Sequence, residues 1–179
     1  MSKTLFAWLA FAVMAGAAQP AHSKDRGVAG TYDLLICKGP CSFSDRKNVD
    51  RTAVIAIFDK AMKRKDVDGI DSTSDVKHDP VRACYLLTYP NRQKSGVTSW
   101  TLDGKTLSFS LMHSPESWYS VRVERAGDLL KGLGNFWSAG VAPPPGYMPD
   151  TIVGRRRGPA DIGACKADVK LPTSHESNR

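Results

Sequence analysis

The stretch Val97-Thr-Ser-Trp-Thr-Leu-Asp103-Gly104-Lys-Thr-Leu-Ser-Phe-Ser-Leu-Met112 decides the fold class. On both sides of Asp103-Gly104 the apolar residues recur at every second position, the period of a strand with one buried face. Leu107, Phe109 and Leu111 fall on one side of the second segment, and Thr106, Ser108 and Ser110 on the other. Asp-Gly between two such segments predicts a β-hairpin on a type I′ turn, whose two central residues both need positive φ.

The same signal repeats along the rest of the chain, with Gly, Pro and Asp breaks between segments, and predicts strands at 30–36, 53–58, 81–88, 97–102, 106–112, 118–124, 128–137 and 151–157. Ala126-Gly127-Asp128 is a second hairpin turn, and Asp59 to Lys65 fits a short helix. Gly132 and Gly134 interrupt one strand, where glycine marks a bulge, a sharp coil or the close approach of another backbone. Short strands with one wet face bury their apolar sides best by closing on themselves. The expected architecture is all-β, an antiparallel eight-stranded barrel, with a β-sandwich as the alternative.

Cysteine usage and the N-terminus set the compartment. Lys3 precedes an apolar run from Leu5 to Ala18, broken by Gln19-Pro20, and Ala21-His22-Ser23 offers small residues for cleavage before Lys24. That is the layout of a secretory signal, and the run is shorter than the roughly 20 residues a membrane-spanning helix needs. The expected organisation is a signal peptide at 1–23, one β domain at 24–165 and a loose tail at 166–179, in a protein exported to the periplasm or secreted. Four cysteines, Cys37, Cys41, Cys84 and Cys165, then predict two disulfides. Three pairings are possible. Gly39-Pro40 lets Cys37 close on Cys41, which leaves Cys84 for Cys165, and this pairing is preferred. A zinc site competes poorly, because two of the cysteines are isolated and no histidine stands at ligand spacing to them. A redox catalyst wants two residues between its cysteines, not three.

The formal charge is +7, or +6 once Lys3 is removed with the signal. That favours acidic partners such as anionic lipid head groups, polyanions or an acidic protein, although a modest basic excess is better read as an aid to solubility. Export and the lack of a basic helix or interleaved basic and aromatic residues argue against nucleic acid.

Gly30-Thr31-Tyr32 in the first strand, short hairpin-linked strands, a late glycine-rich strand with Trp137 and a basic last strand at Arg155 to Arg157 resemble the layout of calycin-type barrels, the lipocalin and avidin group. The resemblance implies a barrel closed at one end by an aromatic residue and a C-terminal arginine, with a ligand cup at the other. Tyr32 stands where lipocalins carry tryptophan, and one of Arg155, Arg156 or Arg157 matches the arginine. The family's ligands do not carry over.

Chemistry-bearing residues are sparse. Asp66, Asp68 and Asp71 around Gly69 suggest a weak calcium loop, but with Gly69 at loop position six the first position falls on Arg64 and the last on Asp75. A solvated acidic loop is the better reading. His113 and Glu116, like His78-Asp79, have acid-base potential only if they meet in a cleft. There is no G-x-S-x-G elbow, H-E-x-x-H motif or phosphate-binding glycine loop, and no cofactor is implied. Trp118, Trp137 and Tyr147 are candidate ligand-binding aromatics. Trp118 is singled out because alternation turns it away from Tyr119, Val121 and Val123. The loop 139–150, with four prolines, suits a cover over one barrel end. If Ile152 points inward, Arg156 shares its face, and Arg155 and Arg157 face an anionic partner.

The sequence therefore predicts a non-enzymatic exported binding protein, holding a small apolar ligand inside the barrel or an envelope protein on its loops. The alternatives are a small periplasmic hydrolase, or an inhibitor or immunity protein of a cell-envelope enzyme. A wide interior lined by Trp and Phe would favour the internal ligand, and a filled one the loops.

Overall fold

A computed structural model of the protein describes residues 27–70, 80–142 and 144–167. Among these run nine antiparallel strands: β1 (Gly30–Cys37), β2 (Val49–Ile57), β3 (Ala83–Thr88), β4 (Gln93–Thr98), β5 (Trp100–Asp103), β6 (Thr106–Ser114), β7 (Ser117–Ala126), β8 (Leu129–Ser138) and β9 (Asp150–Gly158). Two short 3-10 turns follow β2 and β9, at Arg64–Val67 and Ile162–Cys165. The first lies at the end of the segment expected to be helical and beyond it. The export segment, Asp71, Asp75, His78 and most of the expected tail lie outside the described residues.

The strand order is β4-β3-β2-β1-β9-β8-β7-β6-β5. Its two edges, β4 and β5, are halves of one stretch separated only by Ser99. The sheet thus returns on itself as a nearly closed up-and-down barrel, and the strand expected at 97–102 is bent rather than continuous. This is why nine strands appear where eight were expected.

The seam falls where β4 leaves β6. Tyr85 of β3 reaches across it: its hydroxyl accepts from Met112 N–H at 2.8 Å and donates to Met112 C=O at 3.2 Å. Its ring passes over Gly96, where any Cβ would sit 2.3 Å from the phenol oxygen. A side chain thus satisfies backbone groups that a strand partner would otherwise take. At Gly132 the expected close approach is to Val123 Cα, 2.7 Å from where a Cβ would stand.

The β5–β6 hairpin departs from expectation by one residue. Asp103 pairs with Thr106, so the turn residues are Gly104-Lys105, and only Gly104 has positive φ, at 58°. Glycine at the first central position suits a type II′ turn, which relieves the aspartate of the positive φ a type I′ turn would demand.

Inside, Tyr32, Leu34, Ile36, Ile55, Ile57, Tyr85, Leu87, Leu107, Leu111, Tyr119, Val121, Leu130 and Ile152 are each at most 1% exposed. They form one continuous apolar cluster. Burying each such side chain contributes on the order of 1.5–3 kcal/mol. The interior is packed with side chains, and the outer phase of the β5–β7 wall carries Thr101, Ser108, Ser110 and Ser120.

A second cluster lies outside the wall of β2 to β4. Ala56, Cys84 and Val97 point outward there and are covered by Ile70, Val81, Cys165 and the flanking Phe58, Met62, Val67 and Ile162. The Cys84–Cys165 disulfide pins this cover, and Cys37–Cys41 clips the start of the β1–β2 connection. Both are the pairs that spacing favoured.

Candidate functional site

The barrel has two differently finished ends. Connections 38–48, 89–92, 115–116 and the described residues of 139–149 lie at the upper end; the turns after β5 and β7, the segment before β1 and the segment after β9 lie at the lower.

At the upper end the inward phase of several strands turns polar. Arg51 stands two residues from Ala53 on the core face of β2, and Tyr89 two residues beyond Leu87 at the end of β3, so strand alternation sends both over the apolar interior. The Arg51 guanidinium sits between two rings, 5.1 Å from the Tyr89 centroid and 5.0 Å from that of Tyr119. Its Nε donates to Asp50 at 2.7 Å, and its Nη2 bonds the same oxygen. Burial raises the Tyr89 and Tyr119 hydroxyls above the ordinary phenol value, so both stay neutral.

His113 enters this layer because the β6–β7 register slips between Met112 and Ser114. Its ring packs edge-on to Tyr89 at 4.9 Å and to Phe136 at 6.0 Å. Burial, then the Arg92 and Arg51 charges, depress its pKa below the ordinary value, so the imidazole is neutral at neutral pH. Arg92 Nη2 meets its Nε2 at 2.7 Å, and guanidinium can only donate. The lone pair is therefore on Nε2 and the proton on Nδ1, which donates to the Tyr89 hydroxyl. Tyr89 oxygen accepts this bond, and its own hydrogen is free to turn to an incoming acceptor.

Charge is unevenly matched here. Asp150, 1% exposed, takes both its bonds from Lys38 Nζ, at 2.9 and 3.2 Å, and Asp50 is used by Arg51. Among the described residues Arg92 contacts the neutral imidazole and, 4.9 Å away, the Tyr89 ring, and it is solvent-exposed. An exposed guanidinium with a phenol beside it can receive an anion bidentately. The same geometry is unsuited to proton abstraction, because the imidazole's one lone pair is already engaged by Arg92.

The residues singled out in the sequence are dispersed. His113 is in this cluster, while Glu116 is exposed in the β6–β7 turn, and both ring nitrogens of His113 are already engaged by Tyr89 and Arg92. Tyr147 is at the same end, its hydroxyl accepting from Phe136 N–H at 2.8 Å, which ties the proline-rich loop to β8. Trp118 and Trp137 are cross-strand neighbours on the outer face of β7 and β8. Arg155 lies over the Phe43 ring at 4.5 Å and Arg157 pairs with Asp33, both on the outside of β9. Asp66 accepts from Lys63 N–H and Asp68 ends the same 3-10 turn, while Asp71 lies outside the described residues.

Arg51, Tyr89 and Arg92 were not anticipated from sequence. The signal for Arg51 is a charge in phase with Ala53, Ile55 and Ile57; starting that strand at Ala53 hid it.

At the lower end Arg156 shares the inward face of Ile152. Its side chain lies over Gly30, and its Nη2 donates to Ala29 C=O at 2.6 Å. Tyr32, buried beside it, donates to Val28 C=O at 2.9 Å. Arg82 lies over Trp100 at 4.6 Å and donates to its C=O at 3.0 Å. Outside the wall, Phe58, Met62, Ala160 and Ile162 line an open apolar cleft of about 610 Å³.

Compared with family models, curated proteins and solved structures, the chain matches none.

Proposed function

We propose that the protein is an exported binding protein that works from the upper rim of its barrel, where Arg92, supported by Arg51, His113 and Tyr89, receives an acidic group of a ligand or partner. The observation that carries this reading is the exposed Arg92 guanidinium, bonded to a neutral ring while Asp50 and Asp150 are held by Arg51 and Lys38. The packed interior supports a rim site over an internal apolar ligand. The positive net charge adds long-range attraction for an acidic partner. Two disulfides and the signal-like N-terminus support an oxidising location outside the cytosol.

The test is a titration of the full chain with inorganic phosphate and with citrate, followed by the NMR signals of arginine Nε–H and His113. Saturable shifts at Arg51, Arg92 and His113 are expected, abolished in Arg92→Gln with unfolding temperature unchanged. Linear, unsaturating shifts, or the same shifts in the variant, would overturn the reading.

A further inference from the structure

The wall of β7, β8 and β9 is finished differently from the wall opposite. Around β2 to β4 the outward apolar side chains are sheltered by residues 58–70 and the C-terminal 3-10 turn. On β8 the outward phase carries Leu129, Leu133 and Trp137, which are 50%, 51% and 43% exposed. An outward strand face in water is ordinarily polar. Trp118 stands directly across from Trp137 and widens the apolar end of the strip.

Cations are set between these residues by register. Lys131 lies between Leu129 and Leu133 on the same face, Arg122 is opposite Leu133, and Arg155 is opposite Leu129. All three are exposed; the acidic residues beside them are Glu124, across from Lys131, and Asp33, across from Arg155 and bonded to Arg157. At about 3.4 Å per residue, Leu129 to Trp137 is a strip roughly 27 Å long. Apolar side chains and positive charges, with Asn135 between Leu133 and Trp137, thus interleave over one wall.

We infer that this wall docks on an anionic phospholipid bilayer surface. Independently of the rim, Leu129 and Leu133 enter the boundary between headgroups and acyl chains, Trp137 lies at headgroup level, and Arg122, Lys131 and Arg155 meet lipid phosphates. The match is one of charge and polarity together: a lipid interface offers negative charge above apolar chains, and its fluidity suits an extended strip. Tryptophan favours such interfaces because one edge of its ring is apolar and the other carries N–H. Binding is peripheral, because the barrel's interior is apolar and the outer phase around Thr101, Ser108, Ser110 and Ser120 is polar, the reverse of a membrane-spanning barrel.

The experiment is flotation of the full chain with vesicles of phosphatidylglycerol and phosphatidylcholine in equal parts, and with pure phosphatidylcholine. Binding to the anionic vesicles is expected, at least tenfold weaker on the neutral ones and weakened by salt, with blue-shifted tryptophan emission quenched by brominated acyl chains. Arg122→Gln, Lys131→Gln and Arg155→Gln together should lower affinity about a hundredfold, at roughly fivefold per charge near such a surface. The charge-matched set Lys47→Gln, Lys65→Gln and Lys105→Gln should lose far less, and Leu133→Ser with Trp137→Ser should abolish quenching. Equal losses from both charge sets, unquenched tryptophan in the wild-type chain, or no preference for anionic vesicles would each overturn the inference, the last leaving a protein partner as the occupant of this wall.

Discussion

Both ends of the barrel are closed by arginine against aromatic rings, yet the partners differ in kind. At the lower end Arg156 and Arg82 donate to the backbone carbonyls of Ala29 and Trp100, and the one carboxylate beside them, Asp128, is 4.0 Å from Arg156 and exposed. Those acceptors neither titrate nor move without moving the fold. At the upper end Arg51 and Arg92 lean on Asp50, Tyr89 and His113, side chains that can exchange one partner for another. The lower arginines complete the structure, whereas the upper ones hold charge where a ligand can compete for it.

The largest expected contrast concerns the disulfides, one at each end. Cys84–Cys165 closes a separation of 81 residues and fastens the cover over the second apolar cluster; Cys37–Cys41 closes a separation of only 4. Chain-entropy arguments give roughly 4–5 kcal/mol for the long bridge and about 2 kcal/mol for the short one. Denaturant unfolding of Cys84→Ser/Cys165→Ser and Cys37→Ser/Cys41→Ser should reproduce that order. Equal losses would mean that the ends do not differ in how they are fastened.

Next in size is a pair of matched substitutions. Arg156→Met strips the half-buried Ala29 carbonyl of its donor in a site where the arginine side chain is 14% exposed, and leaving such a group unsatisfied costs about 1–3 kcal/mol. Arg51→Met should cost about 1 kcal/mol, since Asp50 remains open to water and the thioether can lie between the same two rings. The anion response at the upper rim should follow the opposite order, weakened by Arg51→Met and unaffected by Arg156→Met. An Arg156 variant that kept its stability and lost anion binding would reverse the roles assigned to the ends.

Sequence periodicity carried the reading as far as alternation alone determines geometry. Leu107, Phe109 and Leu111 are inward as their spacing demands, and Arg156 shares the face of Ile152 while Arg155 and Arg157 point out. What alternation could not reveal were contacts made across the seam or around the ring. Tyr85 meets Met112 and Gly96 because the barrel nearly closes, and the one-residue slip that brings His113 onto Tyr89 breaks the period on which the reading rests. Arg51 and Arg92 are separated by 41 positions in the chain and meet only through Tyr89, which both overlie. The site is a product of ring closure, and no local motif encodes it.

The smallest effect is the most specific to the upper end, because His113 is the sole histidine among the described residues. Its folded pKa lies below the unfolded value of 6.5, through burial and then the charges of Arg92 and Arg51. The unfolded chain therefore takes up this proton first. The stability contributed by the neutral ring is complete above about pH 6.5 and declines as pH falls from there toward the folded pKa. His113→Gln should remove this part of the acid slope. Protonation has a second consequence at the rim: Nε2 becomes a donor facing the donors of Arg92, so their contact breaks and the guanidinium is released toward solvent. A bound anion would stabilise that charged arrangement and must, by linkage, raise the His113 pKa. Sulfate, whose charge is constant over this range, should accordingly bind more tightly at pH 5.5 than at pH 7.5, and an NMR titration of His113 should move upward in its presence. If sulfate left that titration where it was, the two ends would differ in bonding but not in use.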